Sequence, residues 1–125
     1  MIGQSALVVI GGACGALARY WIGSTLAAWF GREFPWGTLT VNVVGSFVIG
    51  LLFVVLIERT PTAAEAWRAL LVVGFLGGLT TFSAFSIETV TLLQSGQTLR
   101  AFANVSTNLL LGFGACWLGL TLARV

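Results

Sequence analysis

The sequence has very little charge and lacks several residue types on which enzymes and nucleic-acid-binding proteins depend. It contains no lysine, no histidine and no aspartate; its only charged side chains are six arginines and four glutamates among 125 residues. Without histidine or aspartate, and with no metal-ligand cluster or nucleophile–base pair, an enzyme is the function class that this sequence favours least. The arginines are scattered along the chain, so the net charge of +2 does not indicate nucleic-acid binding.

Hydrophobic residues take the place of the missing charge. They make up 58% of the chain and charged residues only 8%, against roughly 45–50% and about 25% in soluble domains. So few charges could not cover the surface of a soluble domain, which predicts an all-α integral membrane protein. A spanning helix needs about 20 apolar residues. The chain therefore holds a single domain, 1–125, of four transmembrane helices, predicted at residues 5–29, 37–57, 67–93 and 98–123.

The third predicted span contains a segment that is poorly suited to a continuous helix. Three glycines fall within residues 74–78, and each glycine costs about 1 kcal/mol relative to alanine in a helix interior. The hydroxyl groups of Thr80 and Thr81 follow and can compete for backbone partners. We predict a helix broken near residues 75–80, with freed carbonyl groups at the break. Irregular backbone at membrane depth is tolerated only where protein buries it or water lines it, so this segment is the leading candidate for a functional site.

Polar and aromatic side chains follow helical spacing in the last three spans. Span two carries Asn42, span four carries Asn104 and Asn108, and in span three Phe82 and Phe85 lie three residues apart, just after the expected break. Three polar stripes are too many for a lipid-facing surface, so we expect them to face one another or a partner. Asparagine in a span commonly joins helices, and a phenylalanine pair commonly packs a core, so both structural and functional roles stay open.

Two charged side chains lie within or near the edge of the predicted spans. Arg19 lies near the middle of the first span, where an unpartnered arginine costs at least about 2.5–3.5 kcal/mol. Gly11, Gly15 and Gly23 share its helical face, a spacing that lets a neighbouring helix approach closely. Arg19 either snorkels or makes a purely structural contact, or it lines an anion vestibule or contacts another helix. Glu88, near the hydrocarbon edge, is either solvated or lines a pore mouth.

The arginines are divided almost evenly between the two sides of the membrane. Four spans place Arg59, Arg68 and Arg124 on one side, and Arg32 and Arg100 on the other. Orientation follows the excess of lysine and arginine in short loops, and three against two is almost no excess. The chain is therefore predicted to insert in both orientations. Because no internal repeat is visible, a homodimer of oppositely oriented copies is the economical assembly.

The segment Gly77-Gly78-Leu79-Thr80-Thr81-Phe82-Ser83-Ala84-Phe85-Ser86 resembles the central motif of the Fluc (CrcB) fluoride channels. The run Asn42-Val43-Val44-Gly45-Ser46 and the mid-span Arg19 also match, and the resemblance covers the whole chain. It implies a fluoride-selective channel that exports fluoride from the cytoplasm by passive conduction across the inner (plasma) membrane. It further implies a dual-topology antiparallel homodimer with two pores and a structural sodium ion at the dimer centre.

The resemblance also implies roles for individual residues. Gly77 and Thr80 match the backbone-carbonyl ligands of the sodium ion, and Arg19 matches the vestibule arginine. The residues that match the fluoride pore are the aromatic pair, the amide of span two and the polar track: Phe82, Phe85, Asn42, Ser83 and Thr81. Asn104 and Asn108 on span four are also assigned to the fluoride pore, although span four departs from the pattern there, since many relatives have tyrosine and serine at these positions.

Two other functions compete with a fluoride channel. A small multidrug transporter is also a four-span, dual-topology dimer of similar length, but it needs a membrane-embedded carboxylate in the first span. Span one has no Asp or Glu and carries Arg19 instead, which would repel a cation. The chain could also be a structural membrane subunit, with its glycines serving only assembly.

Overall fold

The structure, a computed structural model, describes all residues of the chain, Met1–Val125, and is entirely helical. Four helical segments are long and apolar enough to cross a membrane, which confirms the predicted number of spans. The third segment, Glu65–Gln94, consists of two helices. In chain order the helices are α1 (Ile2–Phe30), α2 (Trp36–Arg59), α3 (65–79), α4 (Phe82–Gln94) and α5 (Thr98–Arg124).

Two threonines separate α3 from α4. Thr80 (φ −85°, ψ 154°) and Thr81 (φ −153°, ψ 120°) both have extended backbone conformations. Gly77 and Gly78, which the sequence suggested as residues that break the helix, are themselves helical. The non-helical residues thus lie directly after the glycines. Threonine tolerates this change well because its branched side chain favours extended backbone.

Two segments contain wider, π-helical turns. They are Phe53–Arg59 at the end of α2 and Arg68–Leu76 within α3. The side chain of Arg68 spans the connection between these helices, and its Nη1 donates to the carbonyl oxygens of Leu56 (3.1 Å) and Pro61 (2.7 Å). Arg68 therefore supplies a partner to one carbonyl group near the end of α2 and to one in the loop that follows.

Glycines let α1 and α3 approach each other closely. Gly11 and Gly15 are buried, and a methyl group on Gly15 would overlap the carbonyl of Phe75. On the facing helix, a methyl group on Gly78 would lie 2.5 Å from the carbonyl oxygen of Gly12. The prediction that the small residues of span one admit a neighbouring helix is confirmed.

A second glycine contact joins α2 to α5. A methyl group on Gly50 would overlap the carbonyl of Cys116, and one on Gly119 would overlap the carbonyl of Phe47. Between the two helix pairs lies a small apolar core that includes Val41 of α2. In this core Val41 packs with Leu76 and Leu79 of α3, which fixes where α2 lies relative to the α3–α4 interruption.

Ionic contacts join the loops at the two ends of the bundle. At one end Arg124 pairs with Glu58 (2.6 Å) and Arg59 Nη2 donates to the carbonyl oxygen of Ala123 (2.6 Å). At the other end Arg100 pairs with Glu33 (3.1 Å). The second loop and the carboxyl end thus lie together, and the first and third loops lie opposite, as four spans require.

Candidate functional site

The side chain of Asn42 replaces the helical hydrogen bonds around Thr81. The Thr81 N–H donates to Asn42 Oδ1 (2.9 Å), and Asn42 Nδ2 donates to the Thr81 carbonyl oxygen (3.1 Å). Asn42 lies on α2, so the interruption is held by a neighbouring helix. The extended conformation therefore leaves no polar group of the Thr81 backbone without a partner.

Asn42 in turn contacts the polar face of α5. Its Nδ2 donates to Asn108 Oδ1 (3.1 Å), and Asn108 Nδ2 donates to Asn104 Oδ1 (2.9 Å). Asn104 is completely buried and Asn108 is 9% exposed. Asn104 Nδ2 then donates to Thr89 Oγ1 (2.9 Å) on α4. The expectation that the polar stripes of the last three spans face one another is confirmed.

Sequence reasoning missed Thr89. It lies four residues after Phe85, so the two residues share a face of α4, and its hydroxyl donates to the Phe85 carbonyl oxygen (2.8 Å). The sequence signal that could have identified Thr89 is its four-residue spacing from Phe85. The contact with Asn104 was not readable, because it joins residues fifteen positions apart on different helices.

The threonine hydroxyls close one helix and open the next. Thr80 Oγ1 donates to the Leu76 carbonyl oxygen (2.8 Å) at the end of α3. Thr81 Oγ1 accepts a hydrogen bond from the Ala84 N–H (3.1 Å) and lies 3.3 Å from Ser83 Oγ. Thr81 is therefore the N-cap of α4, a position at which threonine is favoured.

The carbonyl groups of Gly77 and Thr80 lose their usual helical donors. In a continuous helix they would accept from the N–H groups of Thr81 and Ala84, but those groups donate to Asn42 Oδ1 and Thr81 Oγ1. Gly77 is also exposed on the surface of the chain. Carbonyl oxygens freed at a helix interruption coordinate Na⁺ in other interrupted membrane helices. The carbonyl groups of Gly77 and Thr80 are therefore chemically suited to bind a cation.

Arg19 contacts the same interruption from α1. Its Nε donates to the Gly78 carbonyl oxygen (3.0 Å), near the end of α3. A cation at a helix C-terminus is favourable because the carbonyl ends carry partial negative charge. This contact gives the mid-span arginine the partner that its cost in a membrane demands.

Arg19 also lines a cavity of about 560 Å³ together with Glu88, Thr38 and Ser24. Thr38 Oγ1 donates to Glu88 Oε1 (2.7 Å), whereas Glu88 Oε2 is buried with no hydrogen-bond partner in the chain. Glu88 is therefore part of a cavity wall and not a freely solvated surface residue. The cavity carries two positive side chains, Arg19 and Arg32, and one negative side chain, Glu88.

The Phe82 and Phe85 rings meet edge to face, with centroids 5.5 Å apart and planes inclined at 62°. Phe82 is 75% exposed, so packing inside this chain does not account for it. Phe82 lines an open cleft of about 420 Å³, whose other walls include Asn42, Thr80 and Gly77. Ring edges carry partial positive charge, and Phe82 shares this cleft with an amide and with residues of the interruption.

The structure brings together most of the residues singled out from the sequence, at different depths. Asn104 and Asn108 stand behind Asn42 and do not line the cleft with Phe82. Ser83 is exposed, with Thr81 Oγ1 as its hydroxyl contact. The cleft is open on one side. A single chain therefore presents the ring, the amide and the freed carbonyls without enclosing them.

Comparison with known proteins matches nearly the whole chain to one family. Residues 6–120 fit the family model described as "CrcB-like protein, Camphor Resistance (CrcB)". That range includes all four membrane-spanning segments except their outermost residues.

Curated relatives carry the description "Fluoride-specific ion channel FluC". The protein from Methylococcus capsulatus is 50% identical over 94% of this chain, and this chain spans about half (51%) of that relative's length. The protein from Hydrogenovibrio crunogenus is 46% identical over 94% of this chain and 88% of its own length. The protein from Magnetococcus marinus is 48% identical over 98% of both chains.

Proposed function

The chain belongs to the CrcB family, and on that premise we propose that it is a fluoride-specific ion channel, not an enzyme. As a multi-pass protein of the inner membrane, it would let fluoride leave the cytoplasm by passive conduction and so lower its toxicity. The observation that carries the proposal is the exposed Phe82 ring, set edge to face against Phe85 and lining the same cleft as Asn42. Gly77 and Thr80 line the same cleft, and their freed carbonyl groups are costly in lipid unless protein buries them or something polar reaches them.

The chemistry of these groups suits a small, strongly hydrated anion. Fluoride leaving water needs hydrogen-bond donors and positive partial charge in return. The edges of Phe82 and Phe85 supply positive partial charge, and Asn42 Nδ2 and the hydroxyls of Thr81 and Ser83 supply donors. Arg19 in the neighbouring cavity adds a full positive charge that attracts anions toward the site.

The proposed assembly is a homodimer of two oppositely oriented copies with two pores. Its support is the near-even division of arginines between the ends of the bundle and the incomplete enclosure of the cleft, where Gly77 and Phe82 are exposed. Reporters fused to the carboxyl end, one active in the cytoplasm and one outside it, should both give signal. Signal from a single reporter would exclude this assembly.

We further propose a structural sodium ion between the two copies, held by the carbonyl groups of Gly77 and Thr80. Its support is the diversion of their helical donors to Asn42 and Thr81. When bound, the ion would supply a fixed positive charge that lowers the energy of anions nearby. The chain's own contribution is to hold these oxygens away from other partners.

The competing functions lack comparable support. A small multidrug transporter requires a carboxylate in the first span, where this chain places Arg19 against the Gly78 carbonyl. A purely structural subunit gives no reason for an amide and freed carbonyl groups to line an open cleft together with Phe82. Neither alternative explains the juxtaposition of Phe82 with Asn42.

Fluoride efflux from liposomes tests the proposal. Purified protein reconstituted into fluoride-loaded liposomes should release fluoride to an ion-selective electrode far faster than protein-free liposomes, and chloride-loaded liposomes should show little release. Absence of fluoride release from correctly folded protein would favour a structural subunit. Proton-coupled uptake of a cationic dye would favour the multidrug transporter.

A further inference from the structure

One continuous chain of hydrogen bonds starts and ends on the third span and passes through α2 and α5. Both of its ends are backbone groups, and three asparagine side chains and one threonine hydroxyl lie between them. From donor to acceptor the links are Thr81 N to Asn42 Oδ1 (2.9 Å), Asn42 Nδ2 to Asn108 Oδ1 (3.1 Å), Asn108 Nδ2 to Asn104 Oδ1 (2.9 Å), Asn104 Nδ2 to Thr89 Oγ1 (2.9 Å), and Thr89 Oγ1 to the Phe85 carbonyl (2.8 Å).

The backbone groups fix the direction of every link. The Thr81 N–H can only donate, so Asn42 must turn Oδ1 toward it. The Phe85 carbonyl can only accept, so the Thr89 hydroxyl gives its hydrogen there and offers Asn104 only lone pairs. Asn108 Nδ2 also donates to the backbone carbonyl of Asn104 (2.8 Å), which fixes the middle amide. Turning any one amide over would place two acceptors or two donors face to face.

This chain leaves Asn42 without an unused amide hydrogen. Its Nδ2 donates to the Thr81 carbonyl and to Asn108 Oδ1, and an amide nitrogen carries only two hydrogens. An anion that binds to Asn42 must therefore replace one of these two acceptors. Asn42 can present that hydrogen to an anion only while its amide keeps its orientation, and the orientation depends on how firmly Asn108 is held from behind.

We propose that Thr89 and Asn104 are positioning residues for anion passage, acting through Asn108 on Asn42. The proposal rests on the channel function given above. Neither residue lines the cleft with Phe82, and Asn104 is fully buried. Their part is to orient the Asn42 amide at a distance, because hydrogen bonds that run in one direction polarise and strengthen one another.

Substitution of Thr89 tests the proposal. Thr89→Val keeps the shape but removes both the acceptor for Asn104 and the donor to Phe85, whereas Thr89→Ser keeps the hydroxyl. We expect Thr89→Val to lower fluoride efflux from liposomes about tenfold, the scale of one lost buried hydrogen bond, and Thr89→Ser to restore most of it. Thr121→Val is the matched control, because the Thr121 hydroxyl bonds only to the Trp117 carbonyl of its own helix.

Hydrogen–deuterium exchange of the Thr81 amide gives a readout that general destabilisation would not produce. In Thr89→Val the loosened chain should speed exchange at Thr81 several-fold while amides of α1 stay unchanged; Thr89→Ser and Thr121→Val should match the wild type. Wild-type efflux and exchange in Thr89→Val, failure of Thr89→Ser to restore them, or faster exchange throughout the bundle would each overturn the proposal. A wild-type protein that passes no fluoride would refute the channel function instead, and the exchange experiment would still decide the positioning role.

Discussion

At the scale of single residues, Asn42 shows how one side chain can take the place of backbone. An asparagine side chain offers an acceptor and a donor group like those of a peptide unit, and here it uses both on Thr81. A leucine at this position would leave three polar groups unpaired, the Thr81 N–H, the Thr81 carbonyl and Asn108 Oδ1, at about 1–3 kcal/mol each. Joining helices and lining a pathway were alternatives for this residue in the sequence, and its position in the structure allows both.

The prediction at this scale that experiment can contradict most easily concerns the aromatic pair, Phe82 and Phe85. Phe82→Leu and Phe85→Leu should remain folded but lose fluoride efflux by about tenfold, equivalent to roughly 1.4 kcal/mol. The reason is that leucine fills space but has no positive ring edge. Phe82→Tyr, which keeps the ring, should retain more activity in the same liposome assay. If volume alone mattered, the leucine variants would cost under about 1.5 kcal/mol of stability and conduct normally, which would contradict the role proposed for the rings.

Arg19 gives a second prediction for a single residue, since it both binds the Gly78 carbonyl and lines the charged cavity. Arg19→Met should lower fluoride efflux more than Arg19→Lys, because lysine keeps the positive charge. The difference between the two variants should grow at low ionic strength, where salt no longer screens the field of the charge. Efflux measured at two salt concentrations decides the matter. Equal flux in both variants at each salt would limit Arg19 to its structural contact.

At the scale of helices, the glycine contacts predict where a single methyl group is too large. Gly15→Ala should lower the free energy of unfolding by about 1–3 kcal/mol, because its methyl group would overlap the Phe75 carbonyl. Gly114→Ala is the control, since a methyl group there meets nothing within 4 Å. Thermal unfolding in detergent should show a lower midpoint for the first variant alone. Equal midpoints would mean that α1 and α3 can separate without cost.

Periodicity was enough to predict the helices and the faces on which they meet. The four spans, the close approach at Gly11 and Gly15, and the meeting of the polar stripes of Asn42 and Asn108 all follow from spacing along the chain. Which residues leave the helix did not follow, because glycine can stay helical when nothing competes for its hydrogen bonds. Thr81 leaves the helix where Asn42, 39 positions away, captures its N–H.

Contacts between distant residues account for the other omissions. The Gly78 carbonyl that Arg19 binds lies 59 positions along the chain, and the Thr89–Asn104 contact joins two helices. Such pairs depend on how helices rotate and slide against each other, which local spacing does not determine. Dual topology and the sodium site stay predictions.

At the scale of the whole molecule, a substitution at Gly77 can distinguish folding of the single chain from assembly of the dimer. Within the chain a methyl group at Gly77 has room, its nearest neighbour being the Val72 carbonyl oxygen at 4.0 Å. Gly77→Leu should therefore fold, yet keep two copies from meeting at their interruptions. We expect a shift from dimer to monomer by light scattering in detergent. Gly114→Leu, also exposed and uncrowded, should stay dimeric, and an unchanged Gly77→Leu dimer would contradict an interface at this position.

The two chain ends lie at the same end of the bundle, where Arg59 binds the Ala123 carbonyl and Met1 lies beside Arg68. A gene duplication that joined two copies by a short tether would therefore lock both in the same orientation, whereas the proposed assembly needs opposite ones. A single-chain version requires a tether that itself crosses the bilayer, about 20 apolar residues long. We expect tandem fusions with a polar tether to be silent in the efflux assay, and fusions through one added transmembrane helix to conduct.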